Sequence, residues 1–441
     1  MKYVEGSKRV FLSTGTRFPR EVIWAIGAIK FAAARANVEL GLLDKERGRV
    51  IQGKAKELMK GLHDDMVLVD VFQTGSGTGL NMNANELIAE LASAEADGKI
   101  HPNDHVNMSQ SSNDVGPTAV RVAAAYAVTH ELLPALEKMG KSLATLSKRT
   151  ARVYTSGRTH LRDALPVTLG QEFSAYEDAF ALDEEFVREA MEHLLDLPIG
   201  GTAVGTGLNA DPAFGTMVAK GLEKESGLAF RVAKNRFRAT RLLTDVSSLS
   251  AAIKAVSTDL HRLCQDVRLM FSGPLTGLGE IDIPSQEEVA GSSIMPGKTN
   301  PVTVESALLA CAEVAGLDTA NSIAASLGEF ELTMGVPLMA YNLVLQTKLL
   351  SEALTRMAVL VVDSIVPSKA KMRAYAESSP ALITVISPRI GYDKAAVVGK
   401  QLAKGIPIRS ALRELGFKDK EIEKMLDLSS LVKPGIPAKK L

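Results

Sequence analysis

The chain of 441 residues carries no net charge, with 51 basic residues (Lys plus Arg) against 51 acidic ones (Asp plus Glu). Nothing global therefore draws it to nucleic acid or to an anionic membrane, and any anion it binds must be captured locally. Cysteine is nearly absent. The two present, Cys264 and Cys311, lie in apolar helical-looking segments and read as buried thiols in a reducing compartment. The longest informative uncharged run, Leu332 to Thr347, contains Pro337, Asn342 and Gln346 and falls short of a membrane span. The opening MKYVEGSKRVFLSTG is charged and lacks an apolar stretch of signal-peptide length, so a cytoplasmic location is expected. Aromatics make up only 5% while hydrophobic residues reach 46%. The apolar material is thus mainly small and aliphatic, the set that suits close helix packing.

A 3.6-residue apolar period runs through Thr118–Lys148, with Pro134 a kink or restart, and through Thr168–Leu195, Thr244–Phe271, Val302–Ala325 and Pro337–Val366. Strand signals between them are few, and only Met66–Phe72 reads as a possible strand. An all-α, mainly helical protein with a central bundle of long helices is expected. The first long helix should begin near Pro117. Past Pro367 the windows shorten to Tyr392–Ala403, Pro407–Leu415 and Asp419–Leu428. The implied division is a mixed, helical region 1–115, the bundle 116–366 and a small helical tail 367–441. That tail has a helix-turn-helix outline, but its basic residues are matched by Asp393, Glu414, Asp419, Glu421 and Glu423, which argues against DNA.

Five stretches are dense in glycine and uncharged hydrogen-bonding residues: Thr74–Glu86, His101–Thr118, Ser156–Glu172, Gly200–Asn209 and Gly291–Glu305. Several lead into helices, where free backbone N–H groups and the helix dipole favour anions. Neutral donors with one lysine suit carboxylates better than polyphosphates. GSSIMPGKTNP (Gly291–Pro301) ends like a phosphate loop, but five residues separate Gly291 from Gly297 where four are needed. GSGTG lacks the third glycine of a dinucleotide turn, since Leu80 stands there. His101 and His105 have metal-pair spacing, yet Pro102 intervenes and no further ligand is near, so no metal is expected. Taken singly, Ser112 or Asn113 reads as a helix cap, Glu305 as a first-turn acid and Lys298 as a solvated loop charge. His160, among polar neighbours and off any apolar stripe, divides evenly between structural and catalytic roles.

In this order the five stretches resemble the aspartase/fumarase superfamily. GSSIMPGKTNP is similar to its shared loop, while GRTHLRDALPVTLGQE and HPNDHVNMSQSSND look like class II fumarases, with Thr-His where aspartases have Thr-Gln. The resemblance implies reversible hydration of fumarate to L-malate without cofactor or metal, in a homotetramer whose active sites draw segments from three subunits. It implies Ser292 as the base, Lys298 and Asn300 holding negative charge, and His160 with Glu305 handling the departing hydroxyl. Ser76, Thr78, Ser111, Ser112, Asn113, Thr159 and Ser293 would grip the substrate carboxylates. His101, Asn103 and Asp104 match a secondary anion site. The sequence departs from the family pattern at Gly79-Leu80, Gly98 and Arg162. An aspartate ammonia-lyase activity and a catalytically silent relative are the alternatives; His160 argues against the first and the intact catalytic set against the second.

Overall fold

The computed structural model describes residues 1–289 and 291–435. In chain order the first helices are α1 (Lys2–Val10), α2 (Arg20–Glu39), α3 (Lys45–Met59), α4 (Thr78–Ser93) and α5 (Ser112–Ala127). Next come α6 (Leu133–Arg149), a hairpin of β1 (Tyr154–Thr159) and β2 (Arg162–Thr168), α7 (Leu169–Glu192), α8 (Phe214–Ser226) and α9 (Arg236–Arg241). The long helices α10 (Thr244–Phe271), α11 (Val302–Ala324) and α12 (Val336–Arg356) follow. The tail holds α13 (Lys369–Ser378), α14 (Leu382–Ile390), α15 (Tyr392–Leu402), α16 (Ile408–Glu414), α17 (Asp419–Met425) and α18 (Leu428–Leu431). The fold is all-α. Its only sheets, among the described residues, are three two-stranded pairings. None of the described helices is long and apolar enough to cross a membrane.

The chain forms two compact units, one of Met1–Leu136, Leu182–Thr258 and Leu309–Ala353, the other of Glu137–Ala181, Asp259–Leu308 and Leu354–Leu441. In the first, α2 is buried along most of its length because its sequence is mostly Ala, Gly and Ile. Small residues let the backbones approach: a Cβ on Gly221 of α8 would sit 2.7 Å from the Ala32 methyl. Trp24 of α2 stacks on Tyr126 of α5 at 4.0 Å between ring centroids. In the second unit the tail builds a core of its own from Leu382, Ile386, Val398, Ile408, Leu412, Ile422 and Met425.

The long apolar windows become helices, with instructive differences at their edges. The first starts at Ser112 rather than near Pro117, because Ser111 and Asp114 form a capping box that fixes the first turn. Pro134 causes no break. Just before it the chain widens into a π-turn, Val128–Leu132, in which the Leu133 N–H reaches back five residues to Val128. Met66–Phe72 is extended but is not a strand. Val67, Val69 and Val71 are buried, but the segment's bonds are scattered: the Asn83 amide oxygen accepts from the Leu68 and Val69 N–H groups at 2.7 and 3.3 Å, the Val71 N–H donates to the Thr16 carbonyl at 3.2 Å, and the Phe72 carbonyl accepts from the Leu12 N–H at 3.3 Å. Helices α1, α2 and α3 fall in the region expected to be mixed and helical, though no pattern located them singly, and the β1–β2 hairpin was not expected.

Candidate active site

In the first unit three of the polar stretches meet. A Cβ on Gly75 would lie 2.3 Å from the Met334 carbonyl oxygen, and one on Gly116 would lie 2.2 Å from the Ser76 carbonyl oxygen. Gly116 is therefore required for the start of α4 to press against α5, and Gly75 for it to press against the segment leading into α12. Gly77, at φ +82°, completes the turn. Ser76 is buried, and its hydroxyl pairs with that of Thr78 at 2.9 Å. Ser111 caps α5, accepting from the Asn113 N–H at 3.2 Å, and Asn113 donates its side-chain amide to the Ala203 carbonyl at 2.9 Å.

Asp114, fully buried, ties this corner together. One carboxylate oxygen accepts from the Ser111 N–H at 2.9 Å; the other accepts from the N–H groups of Gly200 and Thr202 at 3.0 and 2.9 Å. Burial still outweighs those bonds and pushes its pKa up to about 6. Lys30 is the opposite case. Burial lowers it to about 7, partly offset by the Asp114 charge. The pattern Ser111-x-x-Asp114 and a lone lysine in the apolar run AIGAIKFAAA were the available signals for these two, and the sequence reading used neither.

His101, Asn103 and Asp104 lie together around the π-turn Pro102–Val106. The Asp104 N–H donates to His101 Nδ1 at 3.1 Å, and the Asp104 carboxylate lies 3.2 Å from the same nitrogen. The His101 N–H in turn donates to His105 Nδ1 at 2.8 Å.

In the second unit the hairpin places His160 and Leu161 at its tip, with φ of +54° and +57°. Two positive values at the central positions define a type I′ turn, which normally takes Asn-Gly. A β-hairpin with His-Leu there holds strain at the position proposed to be catalytic. Thr159, directly before the tip, pairs with Arg162. Two residues before the tip, Arg158 locks the hairpin: its guanidinium grips the buried Glu280 carboxylate with two bonds of 2.9 and 3.0 Å. Thr155 donates to the same carboxylate.

The GSSIMPGKTNP loop closes on itself. The Asn300 amide donates to the Gly291 carbonyl at 2.6 Å, and a Cβ on Gly291 would strike the Lys298 carbonyl oxygen at 2.2 Å. Inside it, Ser292 Oγ accepts from the N–H groups of Ile294 and Met295 at 3.3 and 3.1 Å. Ser293 and Lys298 are exposed, and Lys298 borders a cleft of about 580 Å³ lined also by Phe271, Ile281, Asp282 and Pro367. Glu305 is exposed on the first turn of α11. Among the described residues Glu305 and His160 are not hydrogen-bonded to each other within one chain, nor does any cluster of His, Cys, Asp and Glu hold metal-binding geometry.

A lyase family model matches residues 7–316, and the model of the fumarase C C-terminus matches residues 382–433. The chain is 58% identical over 439 residues to the class II fumarate hydratase of Saccharolobus solfataricus, covering 100% of both proteins. It belongs to the class II fumarate hydratase family. The enzyme of that family from Thermus thermophilus is 42% identical over 426 residues, covering 95% of this chain and 91% of its own. Among solved structures, the class II fumarase of Schistosoma mansoni superposes with a TM-score of 0.93 at 31% identity, over 98% of this chain and 95% of that one. The loop GSSIMPGKTNP, with Ser292, Lys298 and Asn300, lies within the residues that the lyase family model matches.

Proposed function

We propose that this protein is a fumarate hydratase, a hydro-lyase that adds water reversibly and in anti fashion across fumarate to give L-malate. The observation that carries the reading is the pair of backbone N–H groups on Ser292 Oγ, at 3.1 and 3.3 Å, in a loop that also carries Lys298. Neutral serine is too weak a base for a C–H proton beside a carboxylate. Two amides aimed at its oxygen favour the alkoxide. In the dehydrating direction Ser292 takes the proton, and the electron pair moves into the adjacent carboxylate to give an aci-carboxylate dianion. Lys298 and Asn300 hold that charge. His160 protonates the departing hydroxide to water, positioned by Glu305. Ser76, Thr78, Ser111, Ser112, Asn113, Thr159 and Ser293 bind the two carboxylates through neutral donors.

The protein works as a homotetramer with sites shared between subunits. Helix α11 is rich in apolar residues, and Leu309 and Ile323 on it are 74% and 62% exposed in one chain, a surface suited to burial against another copy. The residue groups belong to domains 1–115, 116–366 and 367–441, and the enzyme is cytoplasmic and needs no cofactor. A secondary anion site at His101, Asn103 and Asp104 has to take its anion against the repulsion of the Asp104 carboxylate, which lies 3.2 Å from His101 Nδ1. Incubation with L-malate should produce fumarate absorbance, insensitive to prolonged EDTA, while L-aspartate in a parallel cuvette produces none. Absorbance from aspartate alone would replace this reading with an ammonia-lyase.

A further inference from the structure

Lys30 is the least expected polar group in the first unit: fully buried, in a helix of alanine, glycine and isoleucine, and absent from the chemistry above. Its ammonium donates to the side-chain oxygens of Asn107 and Gln110, each at 2.9 Å. Lysine can only donate, so both amides must turn their oxygens toward it. Asn107 is then fixed from its other end too, because its NH2 donates to the Gln110 carbonyl at 3.2 Å. The Asn107 oxygen also receives the NH2 of Asn81 at 3.2 Å, and the same NH2 donates to Ser112 Oγ at 2.9 Å. A flipped Asn81 would set oxygen against oxygen. Ser112 Oγ is therefore an acceptor inside the protein, and its own hydrogen is left to point outward.

We propose that Lys30 is a positioning residue that sets the polarity of this hydrogen-bond chain, so that Ser112 presents its O–H as a donor to a substrate carboxylate. This rests on the reading of Ser112 as a carboxylate-binding residue. The relay needs donor character rather than charge: a neutral amine still has two N–H groups for its two acceptors. With an apolar side chain at position 30, only the 3.2 Å bond to the Gln110 carbonyl still orients Asn107, and Asn107 and Asn81 can flip together. Ser112 then donates inward to an amide oxygen and offers the anion a lone pair instead. The Asn81 side-chain oxygen, buried and without a partner in the present arrangement, would be the acceptor for that inward bond.

The test is a double-mutant cycle of Lys30→Met and Ser112→Ala on the assembled enzyme, read as KM for L-malate and as the inhibition constant of succinate, a dicarboxylate that cannot react. Each single variant should raise both constants about tenfold with kcat little changed, and the double variant should be no worse than either. Additive losses, or a Lys30→Met enzyme with unchanged constants beside a weakened Ser112→Ala, would overturn the relay. Unchanged constants in Ser112→Ala would instead remove Ser112 from the binding site, and the relay with it. Should Lys30→Met fail to fold by circular dichroism, Asn107→Leu carries the same cycle. It removes the oxygen that orients the Asn81 NH2 while leaving Lys30 its Gln110 acceptor, and the same non-additivity with Ser112→Ala is required of it.

Discussion

The two units treat the polar residues assigned to the proposed site in opposite ways. In the first, polar groups answer one another: Asp114 meets three backbone N–H groups, Ser76 pairs with Thr78, and Lys30 has two amide oxygens. In the second, His160, Ser293, Lys298 and Glu305 stand exposed, and one oxygen of Glu172 is buried with no partner at all. The contrast assigns different jobs. A carboxylate grip works by being rigid before substrate arrives, so its donors are fixed by their own fold. Proton-transfer groups must meet reacting atoms and, in this reading, residues of other subunits. Their own chain leaves them unsatisfied.

The largest effect should come from the exposed set. Ser292→Ala is expected to lower kcat by about a thousandfold or more while leaving the tetramer intact by light scattering and KM within a few-fold. Activity near that of the unmodified enzyme would show that the two amides on Ser292 Oγ only shape the loop, and the contrast between a grip and a reacting centre would collapse. Loss of the tetramer instead would make the loop an assembly element.

The same contrast explains what could be read in the sequence. Periodicity located α10 and α11 almost to the residue, because a helix pattern is local and repeats. The composition of Ser111–Asn113 and Gly200–Asn209 singled out two stretches that meet in the structure, because a run of neutral donors is unusual on a surface. What stayed hidden depends on distant residues. The Met66–Phe72 segment bonds to the Asn83 side chain and to the backbone of Leu12 and Thr16 rather than to a strand, and no pattern within that segment shows it. The hairpin at His160 was missed because its turn uses His-Leu where a type I′ turn usually announces itself with Asn-Gly. The role of Glu305 came only from family resemblance. Its local signal, an acid in the first turn of a helix, is the ordinary one.

A smaller loss, and of a different kind, should follow from Asp114→Ala. Three buried N–H groups, on Ser111, Gly200 and Thr202, lose their acceptor, and leaving such donors unpaired costs about 1–3 kcal/mol each. The expected result is a Tm lower by several degrees and a KM for malate raised roughly tenfold or more, with kcat less affected. A pure fall in kcat with unchanged KM would mean that this corner serves the chemistry rather than the grip.

The smallest effect concerns Glu172, the unanswered carboxylate of the second unit. Burial, then the neighbouring Glu280 carboxylate, raises its pKa to about 7 from an ordinary value of 4.5. Between those values the folded chain holds a proton that the unfolded chain has released, so stability from this group falls as pH rises through the window. Below about pH 4.5 both states are protonated and the group is neutral to the balance. Above about pH 7 the ionised, buried carboxylate is destabilising. Glu172→Gln removes that titration at nearly constant volume. It should match the parent's Tm near pH 4.5 and exceed it at pH 8, by on the order of 2 kcal/mol, or a few degrees in a chain of this size. An equal Tm at both pH values would mean that Glu172 is answered after all, by a cation from another subunit. The second unit's unsatisfied groups would then be assembly contacts as much as catalytic ones.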